Sequence, residues 1–140
     1  MNISSLKEIY TDYDRVLSQA QKKTSIFTGL FGQRSVDDPR NHPCNREFYE
    51  KTGIWVRDFA ASMPDHKNAA EVCRWILEAA QKNKNRPVYW YYLICQGYVR
   101  DLVPFLSDDD RESLAAEFNR EYPKRTRLPI QEEVYQALHQ

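Results

Sequence analysis

Residues 65–83, "DHKNAAEVCRWILEAAQKN", decide the fold class of this chain. Their apolar side chains recur at spacings of three and four residues, which is the period of one face of an α-helix. Pro64 comes just before the stretch and does not fit a helix interior. We therefore predict a helix over about 65–83 with one buried face. The positions of that face are Ala69, Val72, Cys73, Ile76, Leu77 and Ala80.

The same periodicity continues on both sides of this stretch and predicts further helices. Ser107 is followed by three aspartates, a pattern typical of a helix start. The serine hydroxyl can cap backbone amides, and acids in the first turn complement the helix dipole. The predicted helices run over about 3–23, 43–63 and 65–83, from Pro87 onward, from Ser107 to just before Pro123, and from Pro129 onward.

No stretch alternates with period two for long enough to build a sheet, so the predicted fold class is all-α. Short turns after the second helix favour neighbouring helices that run in opposite directions. A chain of 140 residues, 41% apolar and 29% charged, is typical of one globular domain. We predict a single-domain antiparallel helical bundle of five to six helices over residues 1–140, with an irregular connection at about 24–42.

The predicted connection contains four large apolar residues, Ile26, Phe27, Leu30 and Phe31. Their spacing predicts one amphipathic turn that ends at Gly32. Loops rarely carry four such groups without a contact, so these residues are the first candidates for binding a protein partner. The alternative is that they cover the core, and both interpretations fit the sequence equally well.

The chain has no net charge, with 20 basic and 20 acidic side chains, which disfavours a globally basic nucleic-acid-binding protein. An up-and-down bundle would nevertheless gather cations at one end. Helix capping explains much of this pattern, but not the cations that follow Pro123. A phosphate, a nucleic-acid backbone or an acidic protein face would fit the basic end. Its candidate anion-binding residues are Lys82, Lys84, Arg86, Lys124, Arg125 and Arg127.

Residues 37–46, "DDPRNHPCNR", place a histidine and a cysteine at the start of the second predicted helix. Pro43 is favoured in a first turn, so Cys44 would lie among unpaired amides that favour its thiolate. His42 is close in sequence and could act as the base, which makes Cys44 and His42 the candidate catalytic pair. The alternative, which the sequence favours, is that the stretch only starts a helix.

The helix that follows Pro87 contains a second candidate site, for a small ligand. Gln96 and Arg100 lie four residues apart, on a helix face shared with Tyr89 and Tyr92. Polar groups among aromatic rings can line a ligand pocket. Residues of this kind more often mark the point where a buried helix meets water.

We predict no metal site and no cofactor, because the chain has no CxxC, HExxH or ExxH spacing. Three cysteines, an odd number, do not indicate a disulfide framework. The amino terminus is polar, and the longest apolar run is much shorter than the about 20 residues of a membrane span. We therefore predict a cytoplasmic protein without a membrane partner.

These features favour a helical interaction or regulatory module that binds a protein partner or forms a homo-oligomer, rather than an enzyme. Two alternatives remain open. One is a small thiol-dependent enzyme or ligand binder centred on Cys44 and His42, and the other is a module that binds nucleic acid or another polyanion through the basic end.

Overall fold

All regular structure in residues 2–31, 43–82 and 98–139, which the computed structural model describes, is helical, and these ranges contain no β-strand. Side chains are described throughout these ranges except at 20–31 and 82. The prediction of an all-α fold is confirmed. The helices are α1 (Ile3–Phe31), α2 (Cys44–Ala61), α3 (His66–Lys82), α4 (Arg100–Leu102), α5 (Asp108–Glu121) and α6 (Pro129–His139), with 3-10 helices at Val103–Phe105 and Lys124–Thr126.

The first helix is longer than the sequence predicted. It was expected to end near residue 23, but α1 continues without a break to Phe31 and is 29 residues long. The predicted irregular connection is thus wrong for 24–31, and 32–42 lie outside the described residues. One glycine, Gly29, costs a helix only about 1 kcal/mol, which does not end it. Positions spaced by three and four residues also continue through α1: Tyr13, Leu17, Ala20, Thr24, Phe27 and Phe31.

The chain divides into two compact units, Met1–Trp55 and Val56–Gln140. Helix α2 contributes residues to both. The single domain over residues 1–140 stays a prediction. None of the helices in the described ranges combines the length and apolar character needed to cross a bilayer.

In the first unit, α1 and the start of α2 run in opposite directions. The indole Nε1 of Trp55 donates a hydrogen bond to Ser5 Oγ at 2.7 Å. The hydroxyl of Tyr13 donates one to Asn45 Oδ1 at 2.5 Å, and its ring stacks on Phe48 with centroids 4.4 Å apart. The contacts in α2 fall in residue number as those in α1 rise, which is the pattern of antiparallel helices.

In the second unit, the predicted apolar stripe of α3 is buried over its whole length, with each of its six positions at most 2% exposed. The predicted start of α5 is also confirmed. Ser107 has an extended backbone, and its Oγ accepts a hydrogen bond from the backbone amide of Asp110 at 3.2 Å. This bond satisfies one of the amides that a helix start leaves unpaired.

Helices α5 and α6 of the second unit also run antiparallel. Asp108, Arg111 and Glu112 at the start of α5 line the same surface depression as Leu138 and His139 at the end of α6. The segment of 122–128 connects the two helices and includes the second 3-10 helix. Helix α6 begins at Pro129 and α5 ends before Pro123, as the sequence predicted.

Met63, just after α2, has a left-handed backbone with φ of 53° and is 77% exposed. A side chain with a Cβ is strained in this region, whereas glycine is not. We expect Met63→Gly to raise the free energy of unfolding by about 0.5–1 kcal/mol, less than the full strain because glycine also frees the unfolded chain. Urea unfolding should show this gain, and Met63→Ala, which keeps the Cβ, should show none.

Candidate functional site

Cys44 is the first residue of α2, as the sequence predicted for the start of this helix. The backbone amide of Glu47 donates to the carbonyl of Pro43 at 3.1 Å and closes the first turn. The cysteine is 7% exposed and lines a cavity of about 60 Å³ between α1 and α2. The other lining residues are Ile9, Asp12, Tyr13, Val16, Glu47, Phe48 and Lys51.

The surroundings of Cys44 act against its thiolate. Burial raises the pKa of the thiol, and the nearby charge of Glu47 raises it further, while a hydrogen bond from its own backbone amide only partly offsets them. The sequence suggested a lowered pKa, so that expected direction is wrong. The amide effect exists, but the packing of α1 over α2 outweighs it. Catalysis with His42 stays a prediction, because His42 lies outside the described residues.

The cavity beside Cys44 suits a few water molecules better than a metabolite. Pockets for small ligands usually measure about 300–1,000 Å³, against about 60 Å³ here. The stacked rings of Tyr13 and Phe48 line it, together with Asp12 and a Lys51–Glu47 ion pair at 2.7 Å. Both members of that pair are more than half exposed, so it contributes little to stability.

We expect iodoacetamide to alkylate Cys44 more slowly than a free model thiol at pH 7, by about tenfold or more. Because the pKa of Cys44 is raised, its reactive thiolate forms only at higher pH. The alkylation rate of Cys44 should therefore still increase with pH where the rate of the free thiol has become constant. Cys73 should react more slowly again, because burial raises its pKa to about 12. Mass spectrometry of labelled peptides resolves the two rates, and a Cys44 rate equal to that of the free thiol would contradict this account.

Arg127 was predicted to bind anions, but the structure gives it a different role. Its side chain is only 2% exposed. It donates from Nε to the carbonyl of Tyr122 at 2.9 Å, from Nη1 to Glu132 at 2.5 Å and from Nη2 to Asn119 Oδ1 at 2.6 Å. Its guanidinium lies 4.1 Å from the ring centre of Tyr135. Arg127 therefore connects α5 to α6 and is not free to meet an outside anion.

The remaining predicted anion-binding residues divide into two groups. Lys124 and Arg125 are exposed on the 3-10 helix just before Arg127. Lys84 and Arg86 lie outside the described residues, as does the side chain of Lys82. The structure therefore describes only the part of the predicted basic end that follows Pro123.

The predicted ligand pocket is described at one position only. Arg100 pairs with Glu133 at 3.6 Å across α4 and α6, and both side chains are about half exposed. Tyr89, Tyr92 and Gln96 lie outside the described residues. The pocket stays a prediction.

The four predicted contact positions lie in the last two turns of α1. Their backbone is helical, and the side chains of Ile26, Phe27, Leu30 and Phe31 lie outside the described residues. At 100° per residue, a continuous helix places these positions within an arc of about 140°. They form one face of a long helix rather than the isolated turn that the sequence suggested.

An open depression of about 420 Å³ at the start of α5 and the end of α6 was not predicted. Asp108 forms an ion pair with Arg111, and His139 stacks on Tyr135 with ring centroids 5.4 Å apart. Within 2–19, 43–81 and 98–139, no three metal-ligating side chains come together. Only the antiparallel packing of α5 and α6 brings residues 108 and 139 close together, so no local motif could have indicated the depression.

Several polar contacts hold the turn between α5 and α6, residues 122–128, which we call the α5–α6 turn. Arg127 and Glu132 form its centre, and Gln131 Oε1 accepts a hydrogen bond from the amide of Leu128 at 2.8 Å. Helix capping did not explain why the sequence has cations beyond Pro123, and the contacts of Arg127 explain one of them.

Comparison of the chain with protein-family models, with curated proteins and with solved structures gave no match.

Proposed function

We propose that this chain is a helical interaction module that binds a protein partner through the carboxyl-terminal part of α1. The observation that carries the proposal is the continuity of α1 over 29 residues to Phe31. Long amphipathic helices are a common recognition element, read through apolar positions one helical turn apart.

Helix α1 continues well beyond the point where α2 begins. Tyr13 meets Asn45, and Val16 lines the same cavity as Cys44, so the first turn of α2 lies opposite residues 13–16. Another 15 residues of α1 follow, which extend it by about 22 Å at 1.5 Å per residue. This α1 extension, residues 17–31, is long enough to present the four apolar positions at 26–31 as a contact face.

The sequence of the α1 extension also suggests the kind of partner. It includes Lys22 and Lys23 and contains no aspartate or glutamate. A partner helix with apolar anchors and acidic flanks would complement such a face. The small cavity and the raised pKa of Cys44 support a binding role over catalysis.

A cytoplasmic location is part of this proposal. Cys44 and Cys73 are buried free thiols, which is the usual state of cysteine in a reducing compartment.

The test compares two variants that add the same charge to α1. Phe27→Glu with Phe31→Glu changes the α1 extension, whereas Ser4→Glu with Thr11→Glu changes two exposed positions of α1 that precede the extension. We expect the first pair to abolish association, either with a protein captured from the source cells or with a second copy in sedimentation, and the control pair to retain it. Association that survives the first pair would overturn the proposal, provided circular dichroism shows that both variants fold.

A further inference from the structure

The α5–α6 turn is held more firmly than a simple connection between two helices requires. Three hydrogen bonds from one buried guanidinium fix the backbone and side chains on both sides of it. Gln131 fixes the turn a second time through the amide of Leu128. Desolvation of a buried cation is costly and offsets much of the free energy that its ion pair gains. We therefore take the main effect of Arg127 to be that it fixes the conformation of the turn.

The residues that this network holds in place are an exposed pair of cations. Lys124 and Arg125 lie on the 3-10 helix between Pro123 and Arg127, and both are exposed. The amide of Thr126 donates to the carbonyl of Pro123 at 3.0 Å and closes this short helix. Side chains on a fixed backbone lose less entropy when they bind a partner, so the turn is preorganised for recognition.

The charges around the turn leave a net positive surface. Residues 120–132 carry four cations and two carboxylates. Glu132 is engaged by Arg127, and Gln136 donates to it as well. The other carboxylate, Glu121, also has an interaction of its own. Arg120, Lys124 and Arg125 are all exposed, although the charge of Lys124 also helps to lower the pKa of Glu132. We call these three residues the basic turn surface.

We propose that the basic turn surface is a preformed docking site for an acidic segment of a partner protein. The inference rests on the proposed function only in taking the partner to be a protein, and it uses different residues. Three exposed cations complement a segment rich in carboxylates, and charge complementarity of this kind mainly sets specificity and association rate. A nucleic acid fits less well, because its affinity depends on neutralising many phosphates and this chain has no net positive charge.

The experiment uses the full chain and two labelled probes, a glutamate-rich peptide of twelve residues and a mixed-sequence RNA of twelve nucleotides. We expect the peptide to bind, and Lys124→Ala with Arg125→Ala to weaken it at least tenfold. The control, Arg57→Ala with Lys67→Ala, removes two exposed cations elsewhere in the second unit and should change affinity less than twofold. Equal weakening by both pairs would reduce the effect to general electrostatics and overturn the proposal.

Preorganisation is tested by Arg127→Lys, which keeps the charge but cannot reproduce the planar fork of hydrogen bonds. We expect this variant to bind the peptide several-fold more weakly although Lys124 and Arg125 are intact, with folding checked by circular dichroism. Unchanged binding would overturn the preorganised turn, and tighter binding of the RNA than of the peptide would overturn the protein partner. Phe27 and Phe31 are unaltered throughout, so failure here leaves the α1 proposal standing.

Discussion

Replacing Arg127 with alanine is expected to lower the free energy of unfolding by about 3 kcal/mol. The change removes the donors to the Tyr122 carbonyl, to Glu132 and to Asn119, and it uncovers the face of Tyr135. The side chain of Arg127 is 2% exposed, so its removal also loses the packing of its methylene stem, and the loss exceeds that of an ordinary surface arginine. Urea unfolding followed by far-ultraviolet circular dichroism measures the difference.

The matched control for this prediction is Arg125→Ala, two residues earlier on the same turn. Arg125 is exposed, and changes at such positions usually alter stability by less than about 0.5 kcal/mol. If Arg127→Ala were as mild as the control, the buried network would not form in solution. The same result would remove the basis of the preorganised docking site.

The stabilisation by Arg127 should also depend on pH. Hydrogen bonds from Gln136 and Arg127 lower the pKa of Glu132 below its ordinary value of 4.5. A carboxyl group with a lowered pKa stabilises the folded chain above its unfolded pKa, and this contribution disappears as the pH falls through the folded pKa. The difference between the wild-type chain and Arg127→Ala should therefore shrink between pH 5 and pH 3. A constant difference over that interval would contradict the assignment.

Local features of the sequence predicted much of the fold. The stripe of α3 and the cap at Ser107 depend on residues within one or two helical turns, and both were confirmed. The length of α1 was wrong because Gly29 was given more weight than the spacing on either side of it. A single glycine costs only about 1 kcal/mol of helix propensity, which is too little to end a helix whose periodicity continues on both sides of it.

The roles of single polar residues were harder to predict because their partners are distant in the chain or arranged by a turn. The sequence indicated that Arg127 was not a helix cap, but its burial depends on how α5 and α6 meet around it. The thiol of Cys44 is shielded in a cavity that Tyr13, more than 30 residues earlier, helps to enclose. Neither the burial of Arg127 nor the enclosure of Cys44 could be predicted from the spacing of residues near it in the sequence.

The second large effect is expected at Trp55 in the first unit. Replacing it with alanine should lower the free energy of unfolding by about 3–5 kcal/mol, the usual cost of removing a large buried aromatic ring. Trp55 is 4% exposed, and its indole donates to Ser5 Oγ at 2.7 Å. The same urea titration measures this variant beside the wild-type chain.

Two further variants separate the packing of Trp55 from its hydrogen bond. Trp55→Phe keeps most of the ring and should cost about 1–2 kcal/mol, while Ser5→Ala should cost about 1 kcal/mol. If the bond to Ser5 aligns α1 on α2, the two changes together should cost less than their sum, because each removes the same bond. Costs that add fully would mean that the hydrogen bond between Trp55 and Ser5 does not form in solution, and that it does not align α1 on α2.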